Sequence, residues 1–395
     1  MERNASPDAE IFLRRKIRCR SEGKNYSLRT PCPLLDAAVL FYMNNKELIN
    51  KLNSEKFLSH AQWRDLISDF SSDDAEYAGK IAEDITKANF GNKIFFRGII
   101  EFSNICKNDC LYCGIRCSNK KVTRYRLTDD EILLCCREGY RLGYRTFVLQ
   151  GGESEYTAST HFTDLIKKIK TEFSDCALTL SVGECNRDVY EKMFEAGADR
   201  YLLRHETADK SHYEKLHPVK MSFDNRIRCL HELKDIGFQT GCGMIVGTPF
   251  QNPDTLAEDM EFMSLFQPAM VGTGPFIPHS DTPFAEFEQG SIKLTLFLLS
   301  LTRIMLPHVL LPATTALGTV RQDGRIKGVL AGCNVVMPNL SPQNIRKNYM
   351  LYDNKTGTGL SAEDSLILLK KQMESIGRTV VTGRGDHKDY ERTEI

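Results

Sequence analysis

Three cysteines at a C-x3-C-x2-C spacing, Cys106-Lys-Asn-Asp-Cys110-Leu-Tyr-Cys113, constrain this chain more than any other stretch. One short loop must carry all three thiols to the same place, and three deprotonated thiols are the right number to hold three corners of a cubane iron-sulfur cluster. The fourth iron then stays open, so that a substrate amine and carboxylate can chelate it and receive an electron directly. Cys117 lengthens the run to four, which leaves a closed tetrahedral zinc site or a saturated cluster as alternatives. Structural zinc sites, however, usually join two short cysteine pairs across a longer spacer. Three buried, unliganded thiols do not suit a loop that also carries Asn108 and Asp109. Cys117 is read as a bystander.

The chain is long enough, at 395 residues, for one large α/β barrel or two medium domains. Its 52 Lys and Arg balance 52 Asp and Glu, so there is no global electrostatic case for nucleic acid or an anionic membrane as partner. Thirteen cysteines, an odd number, follow a start without an apolar signal segment. No run approaches the length of a membrane span. A reducing, cytoplasmic setting is expected. Arg and Ser near the start leave organellar import open, although Glu2, Asp8 and Glu10 count against it.

Residues 1–45, with Pro7, Pro31 and Pro33, predict an irregular extension. Over 46–93 the spacing predicts a helical N-terminal segment, because Leu48, Leu52, Phe57, Trp63, Leu66, Ile67 and Phe70 recur at three- and four-residue steps. From Ile94, short β-branched and aromatic runs alternate with amphipathic stretches, the signature of a parallel sheet in an α/β protein. Strands are predicted at 94–103, 146–150, 177–183, 200–206, 239–247, 270–277, 308–315 and 333–337. Eight such strands over 94–352 predict a (β/α)8 TIM-type barrel, with an open six-stranded partial barrel as the alternative. Residues 353–395 predict a helix from Glu363 to Ile376 and a polar tail.

In such barrels the chemistry sits on the loops after the strands, and the cysteine loop directly follows the first one. Gln150-Gly151-Gly152-Glu153 follows the second; it reads either as a plain turn or as a place where the backbone approaches a ligand. Arg204 and Glu206 end the fourth and, by strand alternation, face one side while His205 faces the other. A structural salt bridge is the competing reading, but charges in a barrel mouth are costly unless used. Gly241, Gly243 and Gly247 could form a slot for a flat ring or simply allow close packing. Thr314 and Thr315 present paired hydroxyls suited to a carboxylate, and Met337, Tyr349 and Tyr352 complete the late part of the mouth.

The cysteine spacing with Tyr112 before Cys113 resembles the radical S-adenosylmethionine (SAM) superfamily. The combination EFSNIC, RYRLT, LQGGE, GADRYLLRHETAD, SFDNR, GPFIPH, PATTA and NVVMPN resembles the HydE-type maturases of [FeFe]-hydrogenase, from about Leu48 to Tyr352. The resemblance implies a [4Fe-4S] cluster on Cys106, Cys110 and Cys113. It implies SAM among Tyr112, Gln150, Gly151, Glu206, Arg226, Met337 and Tyr349, and a carboxylate-bearing substrate among Arg97, Arg204, Thr314, Thr315 and Tyr352. The implied activity is reductive cleavage of SAM to a 5'-deoxyadenosyl radical. That radical would act on a small organometallic or amino-acid-derived substrate, an iron-cysteine complex, during assembly of the diiron subcluster. HydG-type and HydF-type maturases and a low-potential electron donor are the implied partners. A second cluster near the C-terminus, carried by some members, is excluded because no cysteine follows Cys333. Two other functions compete: lysine rearrangement as in methylornithine synthase, and a non-catalytic iron-sulfur or zinc module.

Overall fold

The computed structural model describes residues 43–357 and 359–390. All but the last three residues of the extension expected over 1–45 therefore lie outside the described residues. Three helices follow, Asn45–Glu55, His60–Ser68 and Ser72–Phe90. Each begins with a reciprocal capping box, Asn44 with Glu47, Ser59 with Gln62 and Ser71 with Asp74, which satisfies amide donors that the first turn leaves open. Their apolar faces bury Leu48, Leu52, Trp63, Leu66 and Ile67, whereas Phe57 stays partly exposed. His60–Ser68 packs on the helix Pro253–Phe266, and Ser72–Phe90 on Ile292–Met305, so these helices form a collar around part of the outer helical layer.

The strands are β1 (Lys93–Phe96), β2 (Gly98–Ser103), β3 (Thr146–Gly151), β4 (Ala177–Ser181), β5 (Arg200–Leu202), β6 (Gln239–Cys242), β7 (Ile245–Val246), β8 (Met270–Val271), β9 (Gly274–Pro275), β10 (Val335–Val336) and β11 (Thr379–Val381). A continuous parallel sheet runs β2-β3-β4-β5-β6-β8. Beyond it, Met270 bridges Leu310 and Pro312 bridges Val335. Phe95 and Phe96 pair with Val335 and Val336, and Ile99 bridges Asn339. These contacts return to the first stave and close the ring, so the molecule is a (β/α)8 barrel and not an open sheet. β1 and β2 are one stave interrupted at Arg97, while β7 and β9 extend the fifth and sixth.

The seventh stave differs from its expectation as a strand over 308–315. Leu310 and Pro312 make isolated bridges there and no ladder forms. Pro312 has no N–H to donate, and the Leu311 N–H is taken by the Asn334 side chain at 2.8 Å.

The polar tail has a role in the barrel. After the helix Ala362–Glu374, β11 pairs in parallel with β1 through Lys93, Ile94 and Phe95. The chain then passes beneath the barrel, where Thr146 Oγ1 and Arg200 both donate to the Arg384 carbonyl. Arg200 and Gln239 each reach Asp386 Oδ1, at 2.6 and 2.7 Å. Arg384 donates to Asp386 and to Asp199. This segment is the floor of the barrel, opposite the mouth. Among the described residues no helix is long and apolar enough to cross a membrane.

Candidate functional site

The cysteine loop leaves β2 at the mouth and is stitched by groups that no spacing rule identifies. Asn104, fully buried, donates to the carbonyls of Thr123 and Asn348 and accepts from the Tyr125 N–H. The Arg124 guanidinium donates to four carbonyls, those of Asn104, Ile115, Arg116 and Asn119, at 2.6 to 3.1 Å. Arg116 and Asp109 form a two-pronged ion pair at 2.7 Å on each arm, and Arg116 holds the Asp109 carboxyl well below its usual range. Because these contacts are made to backbone, the loop's shape does not depend on a metal's presence alone.

Within that frame the three thiols are partly buried, and Cys110 lies within electrostatic reach of both Cys106 and Cys113. Burial and the charge of Cys113 push Cys110 well above the ordinary thiol range. Burial, then the charge of Cys106, pushes Cys113 up to about 12. Burial also raises Cys106. Burial is the first cause in all three, so the thiols are neutral when nothing is bound, and a cationic iron cluster would stabilise their thiolate form. Among the described residues no three His, Cys, Asp or Glu converge tightly enough to hold a single ion; ligands that bind different irons of a cubane stand further apart. Cys117 is not among the principal charges felt by the other three. Its amide bonds the Asn108 carbonyl and its charge acts on Arg116.

The glycine pair after β3 divides its labour. A Cβ on Gly152 would lie 2.4 Å from the Ile105 carbonyl oxygen and 2.7 Å from Cys106 Cβ, so this position must lack a side chain for the second loop to lie against the first. A Cβ on Gly151, the expected ligand contact, would lie 2.8 Å from the Phe102 ring, so this position too has no room for a side chain. Glu153 ties the two loops, its carbonyl accepting from the Lys107 N–H at 2.8 Å and its carboxylate meeting Lys107 Nζ at 3.0 Å. Tyr112 donates to His217 Nε2 at 3.1 Å, while His217 Nδ1–H donates to the Tyr213 carbonyl. Burial, and then Arg226, lowers His217 to about 3, so its ring is neutral and free to accept the Tyr112 proton.

Across the mouth, Arg204 Nη2 lies 3.1 Å from Glu206 Oε1, while His205 turns to the other side; the strand expected over 200–206 ends at Leu202, so the pairing is made in the loop beyond it. His205 is fully buried, 3.3 Å from Asp259. Glu206 adopts φ of 66°, a left-handed conformation that costs a non-glycine residue about 1–3 kcal/mol unless its surroundings impose it. Backbone bonds to Gly243 and Ile245 impose it. Its Oε2 is buried with no hydrogen-bond partner among the described residues, as are Thr273 Oγ1 and Thr314 Oγ1. Arg226, from the helix Phe223–Ile236, donates to Glu184 at 2.5 Å and to the Arg204 carbonyl at 2.6 Å.

Inside, Gln150 meets the Tyr349 hydroxyl at 3.4 Å. Glu101 accepts from Asn339 and pairs with the buried Lys355, whose ammonium also donates to the Tyr349 carbonyl. A cavity of about 260 Å³ opens beside this group, bordered by Met337, Thr315, Glu101, Asn339, Arg325 and Lys355. Tyr352 is pushed up to about 12 by burial and feels the charges of Glu101, Arg325 and Arg204. Arg97 is set apart from this group. It is buried lower in the barrel, 3.0 Å from Met270 Sδ and 3.5 Å from the Gly385 carbonyl, and its charged neighbours are Arg200 and Asp386. Sequence reasoning missed Arg124, His217 and the Glu101–Lys355 pair, and gave Glu153 no role apart from its loop; the signal for the pair was an acidic residue at an inward position of the first strand.

The residues fit an iron-sulfur cluster carrying a small zwitterionic ligand: a set of three thiols, a glycine cradle beside Cys106, and uncompensated buried acceptors facing the same mouth. Comparison with known proteins agrees. The family model for the radical SAM superfamily matches residues 100–263. The chain is 42% identical to the [FeFe] hydrogenase maturase subunit HydE of Thermotoga maritima, over 85% of this chain and 95% of that one. It is 29% identical to a 3-methylornithine synthase of Methanosarcina acetivorans, over 75% and 83%. The crystal structure of methylornithine synthase superposes with a TM-score of 0.72 at 27% identity, covering 85% of this chain and 97% of that one. The chain therefore belongs to the HydE family of [FeFe] hydrogenase maturase subunits, within the radical SAM superfamily.

Proposed function

We propose that this enzyme completes a step in assembling the diiron subcluster of [FeFe]-hydrogenase, acting on an iron-cysteine complex made by a HydG-type maturase and passing its product to a HydF-type scaffold. The superfamily's cofactors are a [4Fe-4S] cluster and SAM. When bound, they supply one electron to a sulfonium and so generate a 5'-deoxyadenosyl radical.

Cys106, Cys110 and Cys113 are the proposed cluster ligands. Glu206, with a bare carboxylate oxygen, offers an acceptor to a ribose hydroxyl or an ammonium group of SAM. Arg226 holds the Arg204 carbonyl and so fixes the backbone beside it. Tyr112, its hydroxyl anchored on His217, offers a ring face; Gln150, Gly151, Met337 and Tyr349 complete the proposed SAM contacts. Arg204 with Thr314, Thr315 and Tyr352 is suited to a substrate carboxylate, since a guanidinium and paired hydroxyls donate to both of its oxygens. Arg97, lower in the barrel, is proposed as a second cationic anchor for a substrate that reaches the interior. Lysine rearrangement is the weaker reading, given 42% identity to the maturase against 29% to the synthase.

The observation that carries this reading is the juxtaposition of three thiols on one loop with Glu206, whose Oε2 has no hydrogen-bond partner among the described residues and whose charge reaches Cys110 and Cys113. The test is anaerobic reconstitution with iron and sulfide, reduction with dithionite and addition of SAM. Methionine and 5'-deoxyadenosine are expected in equal amounts, and supply of the product of a HydG-type maturase should raise hydrogenase activation. SAM cleavage without any effect on hydrogenase activation, or a rearranged amino acid formed from lysine, would overturn the assignment.

A further inference from the structure

The cluster loop carries an unbalanced charge. Residues 104–126 contain Lys107, Arg116, Lys120, Lys121, Arg124 and Arg126 against Asp109 alone, in a chain whose formal net charge is zero. Some of that charge is used internally: Arg116 pairs with Asp109, Lys107 with Glu153 and Lys121 with Asp281. Lys120 and Lys220 are different. Both are exposed, and their ammonium groups donate to backbone carbonyls of the cluster loop, Lys120 to Cys117 at 3.3 Å and Lys220 to Lys107 at 3.2 Å. Two positive charges thus rest on the outer surface of the loop with no carboxylate ion-paired to them among the described residues.

The turn that carries Lys220 lies against the thiols. Val219 is fully exposed, an apolar knob beside Lys220. Two residues on, Met221 Sδ lies 3.8 Å from Cys110 Sγ. A partner seated on the 218–221 turn is therefore separated from a cluster-loop sulfur by one side chain. An exposed apolar residue beside Lys220, with Lys120 on the same cluster loop, favours an acidic protein, steered by complementary charge and docked through a small dry centre.

We infer that the Val219–Lys220 turn and Lys120 form the docking surface for an acidic, low-potential one-electron carrier protein. The inference rests on the proposed function, because it assumes a cluster on Cys106, Cys110 and Cys113. In the transfer one electron leaves the carrier, which is oxidised, and enters the cluster, which is reduced; no bond is made and no proton moves. Neither lysine nor Val219 touches SAM or substrate in the proposed site.

The test uses the full reconstituted chain and a photoreduced acidic flavodoxin as probe, followed by stopped-flow absorbance and electron paramagnetic resonance. For the unaltered chain the second-order rate of reduction is expected to fall as salt rises from about 20 to about 300 mM, where the screening length shortens to below about 10 Å. The double variant Lys120→Glu, Lys220→Glu is expected to slow reduction by flavodoxin roughly tenfold or more at low salt, and Val219→Asp to slow it as well, while reduction by dithionite is unchanged in both variants. Equal flavodoxin rates in the variants, or a rate insensitive to salt, would overturn the inference. Binding of oxidised flavodoxin to the cluster-free chain gives a separate readout: if no cluster assembles, the proposed function fails, yet loss of this binding in the double variant still supports the docking surface and its retention still overturns it. Tighter binding of single-stranded RNA than of flavodoxin to the same lysines would also overturn it.

Discussion

The two ends of the barrel use the same residue types to opposite ends. At the floor, Asp199 and Asp386 each have both carboxylate oxygens occupied: Asp199 by Arg384, Lys170 and the Leu178 N–H, Asp386 by Arg200, Gln239 and Arg384. At the mouth, Glu206 has one oxygen on Arg204 and the other bare, and Thr314 and Thr273 are bare as well. A buried polar atom without a partner costs about 1–3 kcal/mol. The floor satisfies its carboxylates, although Arg200 Nε there is without a hydrogen-bond partner among the described residues, whereas the mouth leaves acceptors open, which supports the proposed ligand site.

The largest effect that can break this contrast is at the thiols. Cys110→Ala is expected to abolish SAM cleavage to below about one thousandth of the unaltered rate, because two thiolates cannot hold the cube in one orientation. The cluster-free chain should lose less than about 1 kcal/mol of stability. Cys117→Ala is expected to leave iron content and cleavage intact. Loss of iron in Cys117→Ala would mean that four thiolates close the site and that the mouth is a structural region like the floor.

Next in size is the floor. Arg200 is fully buried and joins Asp386 to the Arg384 carbonyl. Arg200→Ala strands a partly buried carboxylate and is expected to cost about 3–5 kcal/mol, read as a fall in the urea midpoint. The affinity of the fraction that remains folded for SAM should not change. A variant that kept its urea midpoint and lost SAM binding would reverse the roles assigned to the two ends.

Glu206→Gly should move stability and function in opposite directions. Glycine accepts φ of 66° without strain and removes the unpartnered oxygen, for an expected gain of about 1 kcal/mol. SAM affinity should fall roughly tenfold to a hundredfold, the value of one charge-assisted hydrogen bond. Loss of stability together with unchanged affinity would show that Glu206 is a structural bridge to Arg204.

How far these differences were legible in the sequence follows from the range of the interactions. The eight staves, the helical collar and the position of the thiols were readable because periodicity and spacing are local. The seventh stave was misjudged because its apolar letters hid Pro312 and the Asn334 side chain, which together remove its ladder. The floor was unreadable. Arg384 and Asp386 find their partners at Thr146, Asp199, Arg200 and Gln239, more than 140 residues upstream, and a polar tail has no pattern that announces such a match. Arg124 was invisible for a related reason, since a guanidinium that binds four backbone carbonyls leaves no spacing signature. Arg97 was placed by resemblance with Arg204 and Thr314, yet its neighbours are Arg200 and Asp386.

The smallest expected effect concerns acid. Burial alone would raise Asp386, but Arg200, Arg384 and Gln239 outweigh it and bring the carboxyl down to about 2; Asp199 is lowered likewise by Lys170 and Arg384. A carboxyl whose folded value lies below its unfolded value of about 3.9 contributes stability that is fully present above the unfolded value and is lost as pH falls towards the folded one. For one such group the contribution is on the order of 2 kcal/mol. Urea midpoints of the cluster-free chain should therefore hold steady above about pH 5 and decline below about pH 4, and Asp386→Asn, less stable at neutral pH, should decline less steeply over the same interval. Parallel curves would show that Asp386 is not a source of the acid sensitivity. The contrast between a paired floor and an open mouth would then have to rest on Asp199 and Arg384 alone.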